Sequence, residues 1–207
     1  MPDWLSVIDR KVRIRRPMAM AHLNDPDATV RDVSQGVLHH IEDDRWFHGT
    51  EAFVQTNLEL AVQLRDQLPG DAGFRPMFLG HILIEVFLDA FYIREQTEWA
   101  QLYYDIVAGL DRDHITRAVQ TITGKRVDRM PKTLTRFLEQ RFLYDYLDHD
   151  KLLFRMNQVM QRVGLPTLPE RLSRWLPDAE SLVNSRRERF LVREDGSTIH
   201  PPFATSR

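Results

Sequence analysis

Two segments of the chain carry histidine and carboxylate side chains at a repeated four-residue spacing. The two trios are His40, Asp44 and His48 in the first segment, and His81, Glu85 and Asp89 in the second. In an α-helix, four residues advance a side chain by only about 40° around the axis, so each trio forms a stripe along one face. Two facing stripes supply up to six nitrogen and oxygen ligands, which suits manganese, iron or zinc.

The second segment is the more informative, because almost all its other residues are apolar. Between Met77 and Ile93 they are Phe, Leu, Ile, Val, Met, Tyr, Gly or Ala. A helix that is apolar on nearly every face is a buried one. Burial of ionised carboxylates is costly unless a partner compensates their charge, and a divalent cation is the simplest partner. A buried histidine–carboxylate hydrogen-bond network without metal is the alternative.

The elements that position these stripes are helices, because strand alternation is nearly absent and helical spacing runs through the chain. We predict an all-α, single-domain helical bundle over residues 1–192, with a loose C-terminal tail at 193–207. Its metal-site helices are expected at about 30–48, after Thr29 as N-cap, and at about 76–95. The other predicted helices lie at about 51–67, 97–108, 112–123, 132–144, 148–163, and after Pro169 and Pro177, the last reaching about residue 190.

Composition narrows the class of protein. The 207 residues are 43% apolar and 28% charged, with a net charge of −2, so nothing global indicates binding to nucleic acid or to an anionic membrane. The polar stripe in the most apolar stretch argues against a membrane span. The chain has no cysteine, which excludes thiolate ligands and fits a reducing compartment, so we predict a cytoplasmic protein. Its oligomeric state stays open.

A metal at this site is compatible with hydrolytic chemistry, and hydrolysis of a phosphate ester is the first hypothesis. In this hypothesis the metal polarises a phosphoryl oxygen and activates a bound water, and a spare carboxylate or histidine accepts the proton. Asp44 and Glu85 are the candidate catalytic carboxylates. Arg45, Arg75 and Arg94 adjoin the two metal-site helices and are the candidates for binding an anionic substrate.

An acidic cluster further along the chain has a simpler interpretation. Asp145, Asp148, His149 and Asp150 lie near a predicted helix start. Acidic side chains are favoured there by the helix dipole and by N-capping. We therefore predict a capping role for this cluster.

Three segments resemble the acyl carrier protein phosphodiesterase family, an HD-like helical group. They are residues 36–48 (GVLHHIEDDRWFH), 78–89 (FLGHILIEVFLD) and 142–150 (FLYDYLDHD). The first looks like that family's Gly-x-x-x-His-x-x-x-Asp pattern. The resemblance implies a metal-dependent hydrolase, typically using manganese, that cleaves the phosphodiester between phosphopantetheine and a carrier-protein serine. His48 and His81 stand where the family has carboxylates and Glu85 replaces Asp, and this nitrogen-rich set favours iron or zinc.

Three functions are compatible with these patterns. The first is a metal-dependent phosphohydrolase acting on a phosphorylated small molecule or a phosphopantetheinylated carrier protein. The second is a non-catalytic metal-binding helical protein, which differs from the first by having no open coordination position. The third is a helical interaction module whose stripes form a polar network without metal.

Overall fold

The computed structural model describes residues 2–9, 11–68, 70, 73–193 and 196–197. These residues form α-helices and short 3-10 helices, and they contain no strand, so the predicted all-α class is confirmed. The α-helices are α1 (Pro2–Ile8), α2 (Arg16–Ala21), α3 (Ala28–Gly49), α4 (Glu51–Gln67), α5 (Pro76–Glu95), α6 (Thr97–Ala108), α7 (Arg112–Thr123), α8 (Met130–Gln140), α9 (His149–Val163) and α10 (Leu176–Ser185). The 3-10 helices are Phe142–Leu147, Glu170–Arg174 and Arg187–Leu191.

The predicted bounds are accurate for α4 to α7. The predicted start of α3 differs from the observed one, because a different residue caps this helix. Helix α3 begins at Ala28 because Asp27, rather than Thr29, is its cap. The Asp27 carboxylate accepts hydrogen bonds from the backbone N–H groups of Thr29, at 2.8 Å, and Val30, at 3.4 Å. An aspartate in this position satisfies amide donors that the first helical turn leaves unpaired.

The predicted helices at 132–144 and beyond Pro177 are wrong at their C-terminal ends. Helix α8 ends at Gln140 because Arg141 takes a left-handed backbone conformation with φ of 46°. Residues 142–147 then form a 3-10 helix. The segment after Pro177 is divided in the same way, since α10 ends at Ser185 and a 3-10 helix follows at Arg187–Leu191. The tail from residue 194 lies outside the described residues, apart from 196–197.

The chain divides into two compact units. The first unit comprises residues 1–46 and 103–141. Within it α7 packs against α2 and α8, and α8 packs against α1. The Trp4 ring meets the Phe137 ring edge-on, with centroids 4.6 Å apart. His114 at the start of α7 lies 2.8 Å from the Asp27 carboxylate at the start of α3. The prediction of one domain over residues 1–192 stays a prediction.

The second unit comprises residues 47–102 and 142–207, and α5 is the helix at its core. Leu83, Ile84 and Phe87 on this helix are 0% exposed, and α5 packs against α4, α10 and the 3-10 helix at Phe142–Leu147. This burial confirms that the apolar segment is a core helix. By length and composition α5 is also the one helix among the described residues that is able to span a membrane, and the core packing accounts for that composition.

Candidate metal centre

Two histidines and one glutamate converge on a single point in the second unit. The His48 Nε2 atom lies 2.9 Å from Oε1 of Glu85, and the His81 Nε2 atom lies 3.2 Å from the same oxygen. One ligand atom from each of the three residues falls within a common distance of 4.8 Å. The structure thus brings together three of the six residues that the sequence proposes as ligands.

The two helices that supply these side chains, α3 and α5, are separated in sequence by helix α4. His48 belongs to the last turn of α3, while His81 and Glu85 are one turn apart on α5. Between them, Thr50 caps α4 by accepting a hydrogen bond from the Phe53 N–H at 3.2 Å. The Thr50 hydroxyl also donates to the Phe47 carbonyl oxygen at 2.9 Å. These two bonds link the end of α3 to the start of α4 and so hold His48 beside α5.

A buried phenylalanine orients both imidazole rings. Phe53 is 3% exposed, and its ring meets His48 edge-on at 4.7 Å and His81 edge-on at 5.1 Å between centroids. The two imidazole rings themselves lie 4.2 Å apart at an interplanar angle of 38°. Packed aromatic contacts of this kind limit the rotamers that the rings adopt, so the two Nε2 atoms are aimed before any ligand arrives.

A glycine next to His81 allows α5 to approach α4 closely. A Cβ atom on Gly80 would lie 2.5 Å from the Asn57 side-chain oxygen, 3.2 Å from the Asn57 carbonyl oxygen and 3.3 Å from the Leu60 Cβ. These distances are shorter than ordinary van der Waals contact, so a larger residue displaces one of the helices. Gly80 therefore sets the distance between the helix that carries Phe53 and the helix that carries His81.

The site is more open than the sequence predicts. The side chains of His48, His81 and Glu85 are 22%, 36% and 42% exposed, and Asp89 is exposed. The stripe is less buried than the apolar composition of α5 predicts, because the apolar faces of α5 pack against the core and leave the stripe on the open side. That opening gives water and ligands access to the three converging atoms.

The two carboxylates of the polar stripe on α5, Glu85 and Asp89, have opposite electrostatic environments. Partial burial would raise the pKa of Glu85, but the hydrogen bonds with His81 and His48 outweigh it, and the net effect is a lowered pKa. Asp89 keeps an exposed side, yet the surrounding protein removes part of its hydration. This desolvation, with the negative charge of Glu85, raises the pKa of Asp89 to about 7. Glu85 is thus held ionised, as a metal ligand must be.

Two of the three separations between ligand atoms are close to those expected around a metal ion. Bonds of about 2.1 Å at tetrahedral or octahedral angles place neighbouring ligand atoms about 3.0–3.4 Å apart. The separations from Glu85 to His48 and His81 are 2.9 and 3.2 Å. Two imidazoles and one carboxylate form a donor set used by zinc and by non-haem iron.

The other proposed ligands lie elsewhere on the same two helices. Asp89 is one turn beyond Glu85 and does not join the three ligand atoms within 4.8 Å. His40 and Asp44 belong to the first unit, where they lie on α3, His40 half-buried and Asp44 exposed. Their assignment as ligands, and that of Asp44 as a catalytic residue, stay predictions.

The three proposed substrate-binding arginines have different surroundings. Arg94 pairs with Glu180 at 3.0 Å. Arg75 is exposed and occupies the N-cap of α5 in a left-handed conformation with φ of 54°. Arg45 is exposed on α3 in the first unit. The pairing with Glu180 gives Arg94 a structural role, whereas Arg75 presents its charge at the start of the helix that carries His81.

The side chains that support the three converging residues were not predicted from the sequence. Thr50 was identifiable as an N-cap, because a threonine directly precedes a predicted helix start. Phe53 and Gly80 give no such signal, since their roles depend on which helices touch.

The predicted capping role of Asp148 is confirmed, because its carboxylate accepts bonds from the N–H groups of Asp150 and Lys151. Its neighbour His149 instead pairs with Glu180, at 2.8 Å.

The resemblance to acyl carrier protein phosphodiesterases rests on three sequence segments, and the HD-like assignment rests on the same segments. Both stay predictions. No family model, no curated protein and no solved structure matches this chain.

Proposed function

We propose that this chain is a divalent-metal-dependent phosphohydrolase whose metal is held by His48, His81 and Glu85. The observation that carries the proposal is the convergence of both Nε2 atoms on one carboxylate oxygen, at 2.9 and 3.2 Å. Three protein ligands leave coordination positions for water and substrate, which is the arrangement of catalytic rather than structural zinc sites. Zinc and iron are favoured over manganese by the two nitrogen ligands.

When bound, the metal would supply Lewis acidity toward a phosphoryl oxygen and lower the pKa of a bound water. The chain's own residues supply the rest. Glu85 contributes the negative charge that binds the cation, and the two imidazoles orient it. We propose Asp89, the other carboxylate of the polar stripe on α5 and one turn from Glu85, as the base that accepts the proton from the attacking water.

A phosphate ester is the substrate class that we propose, on the basis of the sequence resemblance and of Arg75. This arginine precedes His81 by six residues, about 9 Å along the helix axis, and is exposed. We propose that this cationic side chain binds the anionic group of the substrate. The substrate is a small phosphate ester or a phosphopantetheinylated carrier protein, and a cytoplasmic location belongs to the same proposal.

Metal binding is the first test. The full chain, stripped with a chelator and dialysed, is titrated with Zn²⁺, Fe²⁺ and Mn²⁺ in a calorimeter. We expect one high-affinity site that Glu85→Gln abolishes. Glu180→Gln is the matched control, because Glu180 also pairs with a histidine, at 2.8 Å, but has an arginine instead of a second histidine. Absence of saturable binding by any of the three ions would overturn the proposal.

Turnover is the second test. The metal-loaded chain is offered a panel of phosphomonoesters and phosphodiesters, with a phosphopantetheinylated carrier protein as one member. We expect hydrolysis that chelator removes, that Glu85→Gln abolishes and that Arg75→Ala weakens mainly through KM. Asp44→Ala, measured beside them, tests the predicted catalytic carboxylate of the first unit. Metal binding without turnover on any substrate would instead identify a non-catalytic metal-binding protein.

A further inference from the structure

Helix α4 has two apolar faces, and only one of them is buried. Its inner face packs Leu60 and Leu64, both 0% exposed, into the core of the second unit. Its outer face carries Val54, Leu58 and Val62 at intervals of four residues, and these are 54%, 54% and 49% exposed. Single exposed apolar residues are ordinary, but a continuous apolar stripe over two turns indicates a binding surface.

Two charged residues of opposite sign lie on the same stripe, one beyond each end. Glu51 and Arg65 are both exposed, and each is seven residues from Leu58. Seven residues correspond to a rotation only about 20° short of two full turns and to a distance of about 10 Å along the axis. The order along the outer face is therefore acidic, apolar, apolar, apolar, basic, and the pattern is centred on Leu58.

This order is complementary to itself when the helix is reversed. In a two-fold symmetric pair, both copies use the same surface. A residue that lies a given distance before the symmetry axis on one copy therefore contacts the residue that lies the same distance after the axis on the other copy. With the axis at Leu58, Val54 meets the partner's Val62, and Glu51 meets the partner's Arg65, at both ends of the contact. A parallel pair would instead place Glu51 against the partner's Glu51.

We propose that two copies of this chain associate through antiparallel packing of their α4 helices, with Leu58 at the two-fold axis. The apolar residues supply the attraction. The two pairs formed between Glu51 and the partner's Arg65 fix the direction, as exposed charges at an interface favour one orientation over another. The proposal goes beyond the metal-dependent activity and does not depend on it, since none of these side chains belongs to the metal centre.

The size of the contact predicts a weak dimer. Helix α4 has 17 residues and is about 25 Å long. A contact through one helix face falls at the low end of specific interfaces, below about 1,200 Å² in total. We therefore expect reversible association that is detected by dilution rather than a permanent dimer.

The first experiment is sedimentation equilibrium of the full chain over a wide range of concentrations. We expect a monomer–dimer equilibrium that Leu58→Asp shifts to monomer, because it places two carboxylates at the axis. Phe154→Asp is the matched control, since Phe154 is 57% exposed on α9, outside this face, and it should leave the equilibrium unchanged. Circular dichroism verifies that both variants are folded. A monomer at all concentrations, or a dimer that Leu58→Asp does not affect, would overturn the proposal.

The second experiment exploits the symmetry. Glu51→Arg alone and Arg65→Glu alone each create two like-charge pairs per dimer, and each should weaken association by about tenfold or more. A mixture of the two variants forms a heterodimer in which both pairs are attractive, and the Glu51→Arg/Arg65→Glu double variant restores both pairs in a homodimer. Recovery in the mixture and in the double variant is expected only of the antiparallel arrangement. If the mixture associates no better than its components, that arrangement is wrong.

Discussion

Two glutamates of the second unit each lie within hydrogen-bond distance of a histidine, but only one of them also pairs with an arginine. Glu180 uses both carboxylate oxygens, with the Arg94 guanidinium 3.0 Å from one and His149 Nε2 2.8 Å from the other. Its side chain is only 15% exposed. The permanent positive charge of arginine balances the carboxylate, so this cluster is complete without any further ion.

Glu85 has two imidazoles where Glu180 has an imidazole and a guanidinium. Within the described part of the chain, Glu85 forms ion pairs with His48 and His81 and with no arginine or lysine. Its side chain is 42% exposed, so the cluster is open. Glu85 is therefore the negative charge that a divalent cation at the convergent atoms would balance. The identity of the second partner, arginine or histidine, therefore separates a structural ion pair from a candidate metal centre.

Substitution of the proposed ligands should change the metal affinity most strongly. His48→Ala and His81→Ala should each lower the affinity for zinc at least about 100-fold, because each removes one of three ligands, and even indirect partners of a metal contribute 10–100-fold. His149→Ala should leave the affinity unchanged. Isothermal titration calorimetry of metal-free protein measures all three. Equal losses in the three variants would mean that histidine content, rather than the convergence on Glu85, determines binding.

The second effect concerns the helix spacing that the metal centre requires. Gly80→Ala should lower the free energy of unfolding by about 1–3 kcal/mol, because the new methyl group overlaps Asn57 and contacts Leu60. It should also weaken metal binding by displacing His81 from Phe53. Gly36→Ala on α3 is the control, because nothing lies within 4 Å of its Cβ position, and it should stabilise the helix by up to about 1 kcal/mol. Urea unfolding and metal titration measure the two outcomes, and a stabilising Gly80→Ala would contradict the close approach.

The third prediction concerns stability in the absence of metal, where substitution of Glu180 should have a larger effect than substitution of Glu85. Without metal, Glu180→Gln should lower the free energy of unfolding by about 1 kcal/mol. The neutral amide no longer balances the charge of Arg94, and the side chain at position 180 is mostly buried. Glu85→Gln should change the free energy of unfolding by less than about 0.5 kcal/mol, since an amide oxygen on the partly exposed side chain accepts the same hydrogen bonds from the two imidazoles. Chemical unfolding of the two variants in chelator tests this. A larger loss in Glu85→Gln would identify its cluster as structural.

The residues that sequence analysis identified are those whose pattern is local. The four-residue spacing of His81 and Glu85 on an apolar helix predicts the face that they share, and the structure confirms α5 with the predicted bounds. Pairings that join separate helices leave no such pattern. Nothing in the sequence indicates that Glu180 takes Arg94 and His149 as partners, or that His48 rather than Asp89 completes the convergent group. Such contacts are set by tertiary packing, which the spacing along one helix does not specify.

The last prediction, with the weakest effect, concerns how the stability contributed by two helix N-caps depends on pH. One cap adjoins each glutamate cluster. Thr50 caps α4 beside the metal centre with a hydroxyl, whereas Asp148 caps α9 beside His149 with a carboxylate. The Thr50 cap should be independent of pH, and Thr50→Ala should cost about 1 kcal/mol throughout. The backbone N–H of Lys151, followed by that of Asp150, lowers the pKa of Asp148 below its ordinary value of 3.8.

A carboxylate whose pKa is lower in the folded state stabilises the fold above its unfolded pKa, and this contribution is lost as the pH falls through the folded pKa. The Asp148 cap should therefore weaken below about pH 4. Asp148→Asn keeps a capping oxygen that does not titrate, so its melting temperature should equal that of the wild type at neutral pH and fall less on acidification. Thermal melts between neutral pH and pH 3 provide the measurement, with Thr50→Ser as the control that keeps the wild-type pH dependence. Parallel curves for Asp148→Asn and the wild type would show that the cap contributes no acid sensitivity.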